Sequence, residues 1–195
     1  MRTGPEPFGL LVLGCSTGGP EALAQVIPRL PGDTPVPVVI VQHMSRLFTP
    51  RLADRQNAAS ALRVAEARSG ARLVPGLAVV APGDRHILVE RTPSSLLVRA
   101  SFDPPLHSVR PSLDILLRSA VAAEIRCLVV VMTGMGVDGV EGCAAVRKRG
   151  GQVLVQDRAT SVIWGMPGAV ARARHADRVL PLGALARAIR YRLGR

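Results

Sequence analysis

Four short runs of the chain are almost wholly apolar: residues 10–14, 36–41, 127–132 and 152–155. They are rich in Val and Leu and lack polar alternation, the pattern of strands buried on both faces of a parallel sheet. Helical periodicity lies between or after them. Residues 20–30 carry Pro20 at the first position; residues 50–59 follow Thr49, which suits a cap; residues 112–123 are apolar at Leu113, Leu116, Leu117 and Ala120. A fourth helix is expected over 138–149, where Asp138 and Glu141 resemble a cap with an acidic third position. The last, 182–193, gathers Leu182, Leu185, Ala186, Ile189 and Leu193 on one face and leaves Arg187 and Arg190 off it.

The middle of the chain reads differently. Short strands at 77–80, 86–89 and 96–98 are separated by PGD and TPSS turns, which predicts hairpins at a sheet edge. Strand and helix alternate on either side of it. The expected fold is therefore α/β and doubly wound, a mainly parallel sheet with helices on both faces and an antiparallel edge region. No repeat or linker divides the chain, so residues 10–195 read as a single domain behind a tail, 1–9.

Composition narrows the classes. A chain of 195 residues with 48% hydrophobic content excludes disorder and can bury about 70% of its unfolded surface without disulfide or metal support. No apolar run approaches the roughly 20 residues of a membrane span, and the N-terminus lacks the layout of a signal peptide. The reading is a cytoplasmic protein without membrane insertion. Cys15, Cys127 and Cys143 are odd in number and show no zinc spacing, so they read as reduced thiols. The net charge is +11, carried by arginine apart from Lys148; residues 158–195 hold eight arginines against Asp177, a local +7. Such a bias attracts polyanions or acidic protein surfaces, or merely solvates the surface. With 3% aromatics the stacking platforms of a nucleic-acid binder are missing, so nucleic acid is not the expected partner.

Ligands of open α/β sheets bind beyond the carboxyl ends of the strands. After the first apolar run comes GCSTGGP; after the second, His43; after the third, MTGMGVDG with Asp138; after the fourth, QDRATS with Asp157. A hydroxyl, an imidazole and a carboxylate thus share one rim. GCSTG matches G-x-S-x-G, a strand-to-helix turn that exposes a nucleophilic serine, here Ser16. The same pattern also fits a helix cap on Ser16 or Thr17 or a phosphate cradle, although neither dinucleotide nor P-loop fingerprint occurs. A serine needs a base held in the right tautomer by a third group. His43 at the rim is the preferred base and His175 its rival; Asp138 and Asp157 both qualify as the acid, and spacing does not separate them. Cys15 closes a buried strand and is expected to point into the core.

Six blocks carry a resemblance. GCSTGGPEAL, VVIVQHMSRLFTPRLADR, APGDRHILV, VRPSLDILL, VVMTGMGVDGVEG and QDRATSVIWGMP, in this order, resemble the catalytic domain of the bacterial chemotaxis protein-glutamate methylesterases of the CheB type. The resemblance implies a doubly wound α/β fold and hydrolysis of glutamate methyl esters on the cytoplasmic helices of methyl-accepting chemoreceptors, with deamidation of receptor glutamines. It implies Ser16, His43 and Asp138 as the catalytic set, Thr17 and Met135 as residues lining the site or its oxyanion pocket, and Arg110 as a substrate-binding candidate. No cofactor or metal is implied.

Two departures accompany it. Family members usually carry an N-terminal receiver domain, and the first strand here begins about nine residues in; the chain reads as a stand-alone esterase or a truncated one, Met1 favouring the former, with a separate response-regulator protein as an additional partner. GMPG holds Gly168 where the family usually has a basic residue. The competing readings are a serine esterase or amidase for another substrate, which would cleave small esters but not methylated receptor, and a catalytically silent receptor-binding adaptor, which an acylating probe would not label.

Overall fold

A computed structural model of the protein describes residues 7–194; most of the expected tail, residues 1–6, lies outside the described residues. The main sheet contains β1 (Leu10–Cys15), β2 (Val38–Gln42), β3 (Arg63–Glu66), β5 (Leu77–Val80), β8 (Cys127–Val131), β9 (Gln152–Gln156) and β10 (Arg178–Leu180). Its order is β10-β9-β8-β1-β2-β5-β3, and every neighbouring pair is parallel. A second sheet, antiparallel, is formed by β4 (Arg72–Leu73), β6 (His86–Arg91) and β7 (Leu96–Ser101) in the order β4-β7-β6.

The helices are α1 (Gly19–Val26), continued by a 3-10 turn, α2 (Thr49–Ala59), α3 (Leu113–Ala122), α4 (Val140–Lys148), α5 (Met166–Arg172) and α6 (Leu182–Arg192). Side chains alternate across a strand, so β1 feeds two cores. Leu10 and Val12 pack with residues of α3, α4, α5 and the antiparallel sheet. Leu11, Leu13 and Cys15 pack with residues of α1, α2 and α6. This is the doubly wound arrangement the uninterrupted apolar runs predict, because a strand covered on both faces has no polar side.

Three local expectations are corrected. Residues 77–80 do not form an edge hairpin but an interior strand, β5, parallel to β2 and β3. All four of its residues, Leu-Ala-Val-Val, are buried, the two-sided pattern that alternating β6 and β7 lack. Thr49 does not cap α2; it is the first helical residue, and its hydroxyl donates to Glu66 Oε1 at 2.5 Å. Nor does Asp138 cap α4, which starts two residues later behind Gly139 at φ 101°, a backbone conformation that L side chains rarely adopt. The carboxylate is thereby free to turn toward another helix.

Candidate active site

Connectivity reverses at β1: β2 lies on one side and β8 on the other. That switch point is where open α/β sheets leave a crevice at their carboxyl ends. Ser16 leaves β1 there, His43 leaves β2, and the Thr133–Asp138 turn leaves β8. The strand register Cys15↔Gln42 continues into a bond from the His43 amide to Cys15 O at 3.0 Å, so Ser16 and His43 stand on adjoining strand ends. Gln42 ties them further, its Nε2 donating to Ser16 O at 2.9 Å and His43 O at 3.0 Å. On the other side the Ser16 amide donates to Thr133 O at 3.0 Å. Gly134 makes this approach possible, because a Cβ there would lie 2.7 Å from Ser16 Cβ and 2.9 Å from Ser16 N. Ser16 is half-buried, and within the described residues its hydroxyl makes no hydrogen bond.

Asp138 reaches His43 across the crevice, with Oδ2 2.8 Å from His43 Nε2. Both side chains are nearly enclosed, 8% and 2% exposed. The carboxylate also occupies the N-terminus of α3: it accepts from the Leu113 amide at 2.6 Å, the Asp114 amide at 3.0 Å and the Ser112 hydroxyl at 2.7 Å. Orphan amides and the positive end of the helix favour a negative charge at this position. Burial alone would push the Asp138 carboxyl up, but the bonds from His43, the two amides and Ser112 outweigh it and hold it below the usual carboxylate range. An ionised carboxylate only accepts, so His43 Nε2 carries the proton and the neutral ring keeps its lone pair on Nδ1. That nitrogen is buried and has no hydrogen-bond partner among the described residues.

Among the described residues, no other candidate bonds through its side chain to the side chain of His43 or Asp138. Asp157 turns back on its own loop, Oδ1 accepting from the Thr160 amide at 3.0 Å and hydroxyl at 2.6 Å. His175 follows α5, where its amide closes a turn onto Val170 O at 3.1 Å. His86 is buried with both ring nitrogens used. Cys15 points into the core, donates to Gln42 Oε1 at 3.1 Å, and burial raises its thiol far beyond reactive values. Met135 is largely exposed at the turn after β8, and Thr17 is exposed at the entry to α1. The Arg110 guanidinium donates to Phe102 O at 3.2 Å and Asp103 O at 3.1 Å, bracing the loop before α3. At Gly168 a side chain would meet the Trp164 ring and the Arg172 guanidinium, so a cation from one turn further on already fills that space.

Sequence reasoning missed Ser112 and the α3 amides as partners of Asp138. The signal was present in Ser112, a good N-cap whose hydroxyl also accepts from the Ile115 amide. It missed Gln42 and Gln156 as well, although a polar residue closing an apolar strand must find partners. Gln156 donates to Thr160 O and accepts from the Thr133 amide at 2.8 Å, holding the turn behind Ser16.

The family model for CheB methylesterase matches residues 11–189. The chain belongs to the CheB methylesterase family. Among its relatives are the protein-glutamate methylesterases/protein-glutamine glutaminases of Trichodesmium erythraeum (strain IMS101), 47% identical over 95% of this chain and 53% of that protein, and of a Nocardioides species (strain ATCC BAA-499 / JS614), 49% identical over 95% and 51%. The chain thus spans about half the length of these curated relatives. The crystal structure of the Thermotoga maritima CheB methylesterase catalytic domain superposes with a TM-score of 0.90 at 36% identity, covering 95% of this chain and 98% of that one. The family's fold is the one described above. No group of His, Cys, Asp and Glu suited to hold a metal ion occurs among the described residues, and no helix among them is long and apolar enough to cross a membrane.

Proposed function

We propose that the protein is a serine hydrolase that removes methyl esters from glutamates of chemoreceptor cytoplasmic helices and deamidates receptor glutamines, with Ser16, His43 and Asp138 as its catalytic set. The observation that carries this reading is the single-sided engagement of His43: Nε2 is bound to Asp138 at 2.8 Å, Nδ1 is buried and unpartnered among the described residues, and the His43 amide bonds the strand end that bears Ser16. The base is then Nδ1. It takes the Ser16 proton as Oγ attacks the ester carbonyl, and Asp138 stabilises the imidazolium. The proton passes to the departing methoxide, methanol leaves, and a water deprotonated by His43 cleaves the acyl-serine to free the glutamate. A glutamine follows the same course with ammonia as the leaving group.

The oxyanion falls to the Thr17 and Met135 amides, which lie on either side of Ser16 at the start of α1 and in the turn after β8. Neither amide has an acceptor within the described residues. Removing one such donor typically costs about 3 to 4 kcal/mol in the transition state. Arg110 is the candidate for contacting the substrate from the loop before α3. The family membership and the names of the relatives support the choice of substrate. Regulation by a separate response-regulator protein and a cytoplasmic location belong to the same proposal.

Methanol release from methylated receptor tests it. Ser16→Ala and His43→Ala should each fall to background, and an acylating probe should label the wild type at Ser16 only. Turnover by Ser16→Ala at the wild-type rate overturns the assignment; hydrolysis of small esters without hydrolysis of methylated receptor overturns the substrate.

A further inference from the structure

Away from the Ser16 crevice, a groove of about 780 Å³ runs between the edge strand β10 and α6. Its apolar floor is Leu180, Gly183, Ala184 and Ala188; Arg187 and Tyr191 rise among the small residues on the helix, and Arg178, Arg190 and Arg192 complete its walls. Among the described residues no acidic residue lines it and Arg178, Arg187 and Arg190 form no ion pair, although Arg190 also borders an adjoining cavity that contains Asp33. Arg192 is held by Gln152. Tyr191 is 81% exposed, on the face of α6 opposite the buried Leu185 and Ile189. Unpaired arginines around an apolar floor with an exposed tyrosine are the composition of a recognition surface.

We infer that this groove is an exosite for an acidic polypeptide segment of the protein substrate, separate from the crevice that holds the ester. The inference rests on the proposed function, because a substrate whose glutamates are being unmasked gains a carboxylate at each turnover. Charge complementarity chooses the occupant: four guanidiniums, with no carboxylate among the described residues that line the groove, favour an anion, and the concave floor admits a chain rather than a flat membrane face. Base stacking has a single ring to use, which disfavours nucleic acid. β10 is separated from β1 by β9 and β8 alone, about 14 Å across the sheet, and α6 carries the groove from the carboxyl rim back toward Gln152 at the amino end of β9. A segment seated there can belong to the same substrate molecule as the ester under attack. Such an exosite acts on capture, not chemistry, and its contribution should weaken as salt screens exposed charges.

The test uses two variants outside the catalytic machinery. Arg187→Glu combined with Arg190→Glu reverses the walls; Gly183→Trp fills the floor without changing charge, at a position where an added Cβ meets nothing within 4 Å. Both should hydrolyse p-nitrophenyl acetate at the wild-type rate. On methylated receptor the charge reversal should lower kcat/KM roughly tenfold through KM at low salt, the gap closing near about 1 M salt, where the Debye length is about 3 Å. A fluorescent poly-glutamate peptide should bind the wild-type chain and neither variant, a measurement that decides the exosite even if no receptor turnover is found. Unchanged kcat/KM on receptor, an equal loss on both substrates, or tighter Arg187- and Arg190-dependent binding of phosphatidylglycerol vesicles or single-stranded DNA than of the peptide overturns the inference.

Discussion

His43 and His86 are both largely enclosed histidines beside the N-terminus of α3, one at the rim of the parallel sheet and one at the start of the antiparallel sheet. His86 is saturated: Nδ1 accepts from the Ser112 amide at 3.1 Å, which leaves Nε2–H to donate to Pro104 O at 3.2 Å. His43 is bound on one side only, by Asp138. Ser112 connects them, its amide serving His86 and its hydroxyl serving Asp138. The difference separates a histidine that builds the site from one able to act in it. A ring with both nitrogens paired has no lone pair for a substrate proton, whereas a ring oriented by a carboxylate keeps one. Burial by itself does not distinguish the two.

The same distinction applies to the rim carboxylates, and there it can be broken with the largest effect. Asp138→Asn should lower kcat on methylated receptor by roughly 10⁴-fold, since an amide can donate where only an acceptor fixes the His43 tautomer. Asp157→Asn should change kcat less than about twofold, because Asp157 serves its own turn. Comparable losses in the two variants would remove the reason for choosing between them.

A smaller effect tests the builder. His86→Leu leaves the buried Ser112 amide unpaired, at about 1 to 3 kcal/mol, and removes the bond to the carbonyl of the exposed Pro104. Thermal denaturation should show Tm lowered by roughly 5 to 15 °C, with kcat on small esters reduced far less than in Asp138→Asn. A stable but inactive His86→Leu would mean that His86 acts in the chemistry.

The smallest effect concerns the second buried carboxyl. Burial and then the neighbouring Asp138 charge raise the Asp114 carboxyl, against bonds from the Gly142 and Gly139 amides, while His107 Nε2 lies 3.4 Å from its Oδ2 and the Cys143 thiol faces it from α4. The two aspartates therefore oppose each other in pH. Asp138, held low in the fold, stabilises at neutral pH and loses that contribution as pH falls below about 4, through its folded value. Asp114, held high, contributes fully below about pH 4 and loses stability as pH rises through its folded value. Asp114→Asn should match the wild-type Tm near about pH 4 and exceed it by about 2 to 4 °C at neutral pH, as followed by calorimetry across the range. A wild-type advantage at neutral pH would show that Asp114 is stabilising as an anion.

The chain's own pattern was sufficient for the doubly wound sheet, since runs such as Val38–Gln42 and Cys127–Val131 have no polar face and can exist only between two covering layers. It was also sufficient to bring a serine, a histidine and two aspartates to one rim, because residues after parallel strands emerge at the same edge. The short strands β3 and β10 escaped notice, as did α5 with Gly168 inside it, because a few residues carry too little periodicity to register. Which aspartate meets the histidine was decided in three dimensions. Asp138 and His43 are 95 residues apart and meet only because β8 and β2 flank β1, and the α3 amides that hold the carboxylate come from yet another segment. Periodicity reports which way a side chain faces within its own element; which distant donor it finds there depends on how the elements pack.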